Sequence, residues 1–279
     1  MHPLLGTIPT PWGPLPIYSY GVLVALGVLL GLWYARCYAK RVGLDPDRVW
    51  NLGIYMVLVS LVAAKLWYIL AGAGYYSRHA SEIFTLATLK SGGTFYGGVI
   101  GAILVALLYT HFQRLPLLPL ADSYCAGLPL GHAIGRLGCF AAGCCYGKPT
   151  WLPWGVIFTN PKAAEIVGTP LNIPLHPTQL YESSAEFVNF LILIFLARKQ
   201  RFKGEIFAAY FLLYGFERGV IEFVRGDPGR TLFLRGRFSL MQVVSLVMIC
   251  IGVWIWRWSA KRARHAHAVA HAAPAEAHH

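Results

Sequence analysis

The chain has 279 residues, 56% hydrophobic and only 13% charged, with a mean hydropathy of +0.52. A soluble domain of this size carries about 25% charged residues, so the composition excludes an ordinary soluble fold and points to a membrane protein. The net charge of +12 does not signal a nucleic-acid partner. Its basic residues sit mostly in short clusters between apolar runs, where membrane topology puts them, and attraction to anionic membrane lipids follows.

A spanning helix needs about 20 mostly apolar residues. Seven stretches qualify in chain order, at about Ile17 to Tyr38, Val49 to Ala71, Gly93 to His111, Leu117 to Arg136, Gln179 to Ala197, Ile206 to Val224 and Leu240 to Trp258. The fourth is the least clear, because Asp122, Pro129 and His132 interrupt it. The first is long enough to span and has no basic n-region before it, so it reads as a retained helix rather than a cleaved signal.

Orientation follows from the loops. Arg36, Lys40, Arg41 and Arg48 flank the first connection, Arg114 lies in the third, and Arg198, Lys199, Arg201 and Lys203 fill the fifth. Arg257, Lys261, Arg262 and Arg264 follow the last stretch, whereas no Lys or Arg precedes Ile17. The positive-inside rule then puts the N-terminus outside and the C-terminus in the cytoplasm.

Two long outer segments, 72–92 and 137–178, are expected to form a small extramembrane cap, with strand character at Trp154 to Phe158. The expected fold is therefore all-α: one domain over 1–260 with seven transmembrane helices and an outer cap. A disordered Ala/His-rich cytoplasmic tail over 261–279 follows.

Charge at membrane depth costs about 2.5 to 3.5 kcal/mol per residue on insertion scales, so each such residue needs a reason. Arg136 ends the fourth stretch. Arg218, Glu222 and Arg225 end the sixth, at spacings that place them on one helix face, with Tyr214 a turn earlier. An internal ladder in which Glu222 neutralises Arg218 is one reading. It leaves Arg136 and Arg225 without an acidic partner nearby in sequence, and surplus guanidinium suits a phosphate, which it binds bidentately. Lys148, Lys162, Arg225, Arg230, Arg235 and Arg237 add more positive charge outside than topology asks for.

Several other segments admit two readings each. Ser91 to Gly98 opens the third stretch; its paired glycines allow close approach either of a ligand or of a neighbouring helix. His176-Pro177-Thr178-Gln179-Leu180-Tyr181-Glu182 opens the fifth, with Thr178 as the expected N-cap. Tyr20 beside Gly21 is an interfacial anchor or a functional group. Cys139, Cys144 and Cys145 are inert small residues, a disulfide of Cys139 with Cys144 or Cys145, or a zinc site completed by His132 or His176. The spacing is not a metal signature. The disulfide is preferred and no metal site is expected.

Taken together, these segments resemble the prolipoprotein diacylglyceryl transferase family over nearly the whole chain. The resemblance rests on Tyr20-Gly21, the glycine pairs between 92 and 98, Gly135-Arg136-x-Gly138, the His176 to Glu182 segment and the Arg218/Glu222/Arg225 set. It implies an enzyme of the bacterial inner membrane. This enzyme would move a diacylglyceryl group from phosphatidylglycerol to the lipobox cysteine thiol of preprolipoproteins, forming a thioether and releasing glycerol phosphate. No metal or organic cofactor is implied.

By the same resemblance, the catalytic set is Tyr20, Tyr96, Arg136, Arg218 and Glu222. Phosphatidylglycerol would be bound by Arg136, Arg218, Arg225, Gly97, Gly98, Gly147 and Tyr214. Three positions depart from the family pattern. Tyr96, with an ordinary pKa of about 10 against about 6.5 for histidine, stands where histidine is usual, and Cys139 and Cys144 replace an asparagine and a glutamate. The departures keep open a divergent paralogue with another donor or acceptor, and a non-catalytic protein that binds anionic lipid.

Overall fold

The computed structural model describes residues 2–11, 13–85, 88, 93–226, 232–233 and 238–272. Among these the chain forms β1 (Leu4–Thr10), β2 (Gly13–Tyr18), α1 (Ser19–Arg41), α2 (Pro46–Ala71), α3 (Ala73–Tyr76), a 3-10 turn at Ala80–Phe84, α4 (Phe95–Gln113) and α5 (Leu117–Ala142). There follow β3 (Val156–Ile157), α6 (Pro161–Val167), β4 (Pro174–Leu175), α7 (Thr178–Arg198), α8 (Glu205–Ile221), β5 (Leu232–Phe233), β6 (Phe238–Ser239) and α9 (Leu240–Ala272). Two compact units result: Met1–Tyr38 with Ala121–His279, and Ala39–Leu120.

Among the described residues, five helices are long and apolar enough to cross a membrane: α1, α2, α4, α7 and α9. The chain is thus a multi-pass membrane protein. The helices α5 and α8, expected as spans, do not meet that standard. Asp122, Pro129, His132 and Arg136 interrupt α5, and α8 has only 17 residues.

In the first unit, β1 and β2 form an antiparallel hairpin ahead of α1. Ile17, expected at the start of a span, is therefore its penultimate strand residue. Backbones of α1 and α5 meet at glycines. A Cβ on Gly27 would lie 2.5 Å from the Gly131 carbonyl oxygen, and one on Gly31 3.1 Å from that of Gly127. Small residues at matching turns permit this approach. Asp122 of α5, fully buried, accepts hydrogen bonds from the backbone N–H of Gly204 (2.7 Å) and Phe207 (2.8 Å) and from Gln200 Nε2 (2.7 Å). The charge that weakens the apolar run of α5 thus caps the start of α8. Tyr146, Phe158 and Leu175 form a small core between α5 and α7, beside the β3–β4 pair.

In the second unit, Asp45 caps α2 through the N–H groups of Asp47 (2.9 Å) and Arg48 (3.3 Å), ahead of Pro46. The α2–α4 seam is made of small residues. A Cβ on Gly93 would lie 2.7 Å from Ala64 Cβ, one on Gly97 2.7 Å from the Ala63 carbonyl oxygen, and one on Gly101 2.5 Å from Ala63 Cβ. Ser60 Oγ donates to the Gly98 carbonyl at 3.0 Å. The helix-packing reading therefore explains the glycines at 93 and 97.

Some expectations change. Helix α8 ends at Ile221, with Glu222 as its C-cap, so Arg225 does not continue a helical ladder. Thr178 is the first residue of α7 rather than its N-cap; its hydroxyl donates instead to the Cys145 carbonyl (2.6 Å). Helix α9 runs to Ala272, so the tail expected to be disordered from 261 is helical as far as that residue. Ser91, Gly92, Arg230, Arg235, Arg237 and residues 273–279 lie outside the described residues.

Candidate active site

Three arginines converge on two carboxylates in the first unit. Arg136, in the last turns of α5, forms an ion pair with Glu182 of α7. Arg225 reaches the other oxygen of the same carboxylate, Nη1 to Oε1, at 3.4 Å. Arg218 of α8 pairs with Glu222 at 2.8 Å. All five are nearly buried, from 1% exposed for Glu182 to 9% for Arg136 and Arg225. The acidic partner that sequence spacing does not supply to Arg136 and Arg225 is thus Glu182. Among the described residues, these ion pairs set three guanidinium groups against two carboxylates. The Arg136 Nε and Gln179 Oε1 atoms are buried without a hydrogen-bond partner among the described residues.

Backbone pairing, rather than helical periodicity, brings Arg225 back to the cluster. After α8 the chain turns and forms an isolated antiparallel bridge between Arg225 and Gly147. Gly147 donates its N–H to the His176 carbonyl at 2.9 Å, and Lys148 donates its own to that of Val224 at 2.9 Å. A Cβ on Gly147 would fall 2.5 Å from His176 Cβ and 2.8 Å from the Val224 oxygen. Glycine is required there by three strands of chain meeting. Tyr20, the second residue of α1, abuts the glycine face of α5, its carbonyl oxygen 3.3 Å from where a Gly138 Cβ would be. It lies within electrostatic reach of Arg136 and the three cysteines.

A second polar layer adjoins the first. His132 Nδ1 contacts Glu186 Oε1 at 2.6 Å, and Asn189 donates to Glu217 at 2.5 Å. Tyr214 packs its ring against His132, centroids 5.6 Å apart, and stacks on Tyr210. Sequence reasoning did not select Glu182, Glu186 or Glu217 as site residues. The available signal was the cost of a carboxylate within an apolar run, which holds for these three as it does for the arginines.

The structure therefore gathers Tyr20, Arg136, Gly147, Tyr214, Arg218, Glu222 and Arg225 in one unit. Tyr96, half-exposed, and Gly97 and Gly98 lie on α4 of the other unit.

Residues 8–258 match the family model described as prolipoprotein diacylglyceryl transferase. The chain belongs to this family. It is 36% identical over 241 residues to the phosphatidylglycerol–prolipoprotein diacylglyceryl transferase of Clostridium tetani, covering 85% of this chain and 91% of the relative. The enzymes of the same name from Clostridioides difficile and Thermosynechococcus vestitus are 35% and 34% identical, covering 85% and 84% of this chain and 88% and 85% of the relatives.

In this member of the family the arginine cluster borders three thiols. The Sγ atoms of Cys139, Cys144 and Cys145 lie within 4.8 Å of one another as free cysteines, not as the preferred disulfide, and Arg136 Nη1 is 3.8 Å from Cys139 Sγ. Hydrogen bonds with the neighbouring thiols, together with the positive field of Arg136 and Arg225, hold Cys145 below the ordinary thiol range.

Proposed function

We propose that this chain transfers a diacylglyceryl group from phosphatidylglycerol to the lipobox cysteine thiol of preprolipoproteins. The thiol S–H bond breaks, the sulfur forms a bond to the glycerol carbon, the carbon–oxygen bond to phosphate breaks, and glycerol phosphate leaves, taking up the proton that the thiol gave up. The observation that carries the reading is the convergence of the buried Arg136, Arg218 and Arg225 on Glu182 and Glu222. As the carbon–oxygen bond breaks, negative charge grows on a phosphate oxygen, and fixed guanidinium groups stabilise it without reorganising.

In this reading Arg136 and Arg218 hold the phosphate. Glu182 and Glu222 keep the guanidinium planes in place, Gly147 sets the position of Arg225, and Tyr214 lines the cluster. Tyr20, beside Arg136, borders the reacting groups. For Tyr96 as a proton acceptor, and for Gly97 and Gly98 as lipid contacts, the support is the family resemblance alone.

The proposed setting is the bacterial inner membrane, with α5 and α8 completing seven spans. The N-terminus and the segment between α5 and α7 lie outside as a cap, and the C-terminus is cytoplasmic. The basic cluster Arg198, Lys199, Arg201 and Lys203 between α7 and α8 supports this orientation. In a chain whose six native cysteines are replaced by Ser, a Lys199→Cys variant in intact cells should resist membrane-impermeant thiol reagents until the membrane is opened; labelling in intact cells reverses the topology.

The transfer itself is tested by incubating the purified full chain, in bilayers containing phosphatidylglycerol, with a lipobox peptide. The expected product is the thioether-linked diacylglyceryl peptide, detected by mass spectrometry. Well-folded protein that yields none overturns the reading. Lipid binding that persists without turnover would assign a non-catalytic lipid-binding role instead.

A further inference from the structure

The cysteine trio is not explained by the arginine site beside it. Cys139 lies in the last turn of α5. After it the chain reverses sharply: Gly143 has φ +86° and Cys145 has φ +59°. A non-glycine residue in the left-handed region is uncommon and is held there by its surroundings. Three bonds hold this one: Gly143 N–H to the Cys139 carbonyl (2.9 Å), Gln179 Nε2 to the Cys144 carbonyl (2.7 Å) and Thr178 Oγ1 to the Cys145 carbonyl (2.6 Å). The first turn of α7 thus clamps the loop in the form that brings the sulfurs of Cys144 and Cys145 back onto Cys139.

We propose that Cys139, Cys144 and Cys145 form a three-thiolate site for a soft divalent cation of the zinc class. Two independent observations support it. The first is distance. Thiolates bound to one zinc at about 2.3 Å place their sulfurs roughly 3.8 Å apart. The three Sγ atoms already lie within 4.8 Å of one another, so small side-chain rotations suffice. The second is charge. Three thiolates around a divalent cation carry a net charge of −1, and the Arg136 guanidinium 3.8 Å from Cys139 Sγ meets it. Among the described residues no fourth His, Cys, Asp or Glu ligand joins the group. The fourth position of a tetrahedral ion is therefore left to water or to an external donor, as in zinc sites that keep an open position. Linear spacing hides this site, because its geometry comes from the reversal at 143–145 rather than from a repeat of ligands along a helix.

The test uses the full chain in detergent, reduced and freed of metal, then titrated with Cd²⁺ as a spectroscopic stand-in for Zn²⁺. The expected result is about one ion per chain with a sulfur-to-metal charge-transfer band, displaced by Zn²⁺. Ions held by the histidines of the tail give no such band. Replacing Cys139, Cys144 and Cys145 by Ser together should abolish the band, whereas replacing Cys37, Cys125 and Cys250 by Ser should leave it. A measurement on the unaltered chain guards against misfolding of the variant. Zn²⁺ should protect Cys139, Cys144 and Cys145 from alkylation, read by peptide mass spectrometry, while Cys37, in the last turns of α1, continues to react. The proposal is overturned by absence of the band, by its persistence in the triple variant, by alkylation of the trio that Zn²⁺ does not slow, or by a disulfide between two of the three in protein isolated without reductant. None of these readouts depends on transferase activity.

Discussion

Glu182 joins two guanidinium groups from different parts of the chain, so its removal tests whether the cluster is a unit. Glu182→Gln keeps the shape and removes the charge. At 3.4 Å between Arg225 Nη1 and Glu182 Oε1, the attraction lost is about 5 kcal/mol at an effective dielectric of about 20. The Arg136 pair adds a comparable attraction. Relief of the carboxylate's own desolvation offsets much of this, and removing one partner of a buried pair costs about 3–5 kcal/mol net. For a chain of this size that corresponds to a fall in Tm on the order of 10 °C. Thermal unfolding of the detergent-solubilised protein measures it.

A double-mutant cycle with Arg136→Gln isolates the pair. The expected coupling is about 1–3 kcal/mol, because Glu182→Gln alone takes the carboxylate from two guanidinium groups, whereas the double variant takes it from Arg225 alone. Glu222→Gln removes the ion-pair partner of Arg218 and should cost less than Glu182→Gln, which removes the partner of two arginines. If Glu182→Gln unfolds within a degree or two of the unaltered chain and the cycle shows no coupling, the convergence is not an energetic unit and the anion site loses its scaffold.

Arg218→Lys keeps the charge but not the planar fork that binds phosphate bidentately; transfer should fall by roughly tenfold or more, equivalent to about 1.4 kcal/mol, with Tm nearly unchanged, and full activity would remove Arg218 from phosphate binding. Gly147→Ala places a methyl 2.5 Å from His176 Cβ and 2.7 Å from the His176 carbonyl oxygen; overpacking of this kind costs about 1–3 kcal/mol and should displace Arg225, so a variant with unaltered Tm and transfer refutes the role of the bridge. Asp122→Ala leaves the N–H groups of Gly204 and Phe207 and the Gln200 amide without their acceptor, for an expected loss of about 1–3 kcal/mol per stranded buried group, read as a lower Tm; an unchanged Tm would mean that α8 does not depend on this cap.

What the sequence revealed and what it hid divide along a physical line. The helices α1, α2, α4, α7 and α9 are legible because an apolar run of about 20 residues is a local property. The hairpin β1–β2 is not, because Ile17 and Tyr18 are as apolar as the helix that follows and hydropathy does not sense strand pairing. Arg136, Arg218 and Glu222 are legible as residues of interest because charge inside an apolar run needs a partner. The partner's identity depends on contacts between segments distant in the chain. Glu182 meets Arg136 only because the start of α7 lies against the end of α5, and Arg225 joins them only through the Gly147 bridge. Helical spacing reaches the Arg218–Glu222 pair, four residues apart, and no further, since α8 stops at Ile221. The same reasoning applied to the buried carboxylates other than Glu222 points to Asp122, Glu182, Glu186, Glu217 and Glu205, the last paired with Arg201. The structure gives each a named polar partner within the first unit. In a membrane chain, a charge inside an apolar run therefore shows that a polar partner exists, and the fold determines which residue it is.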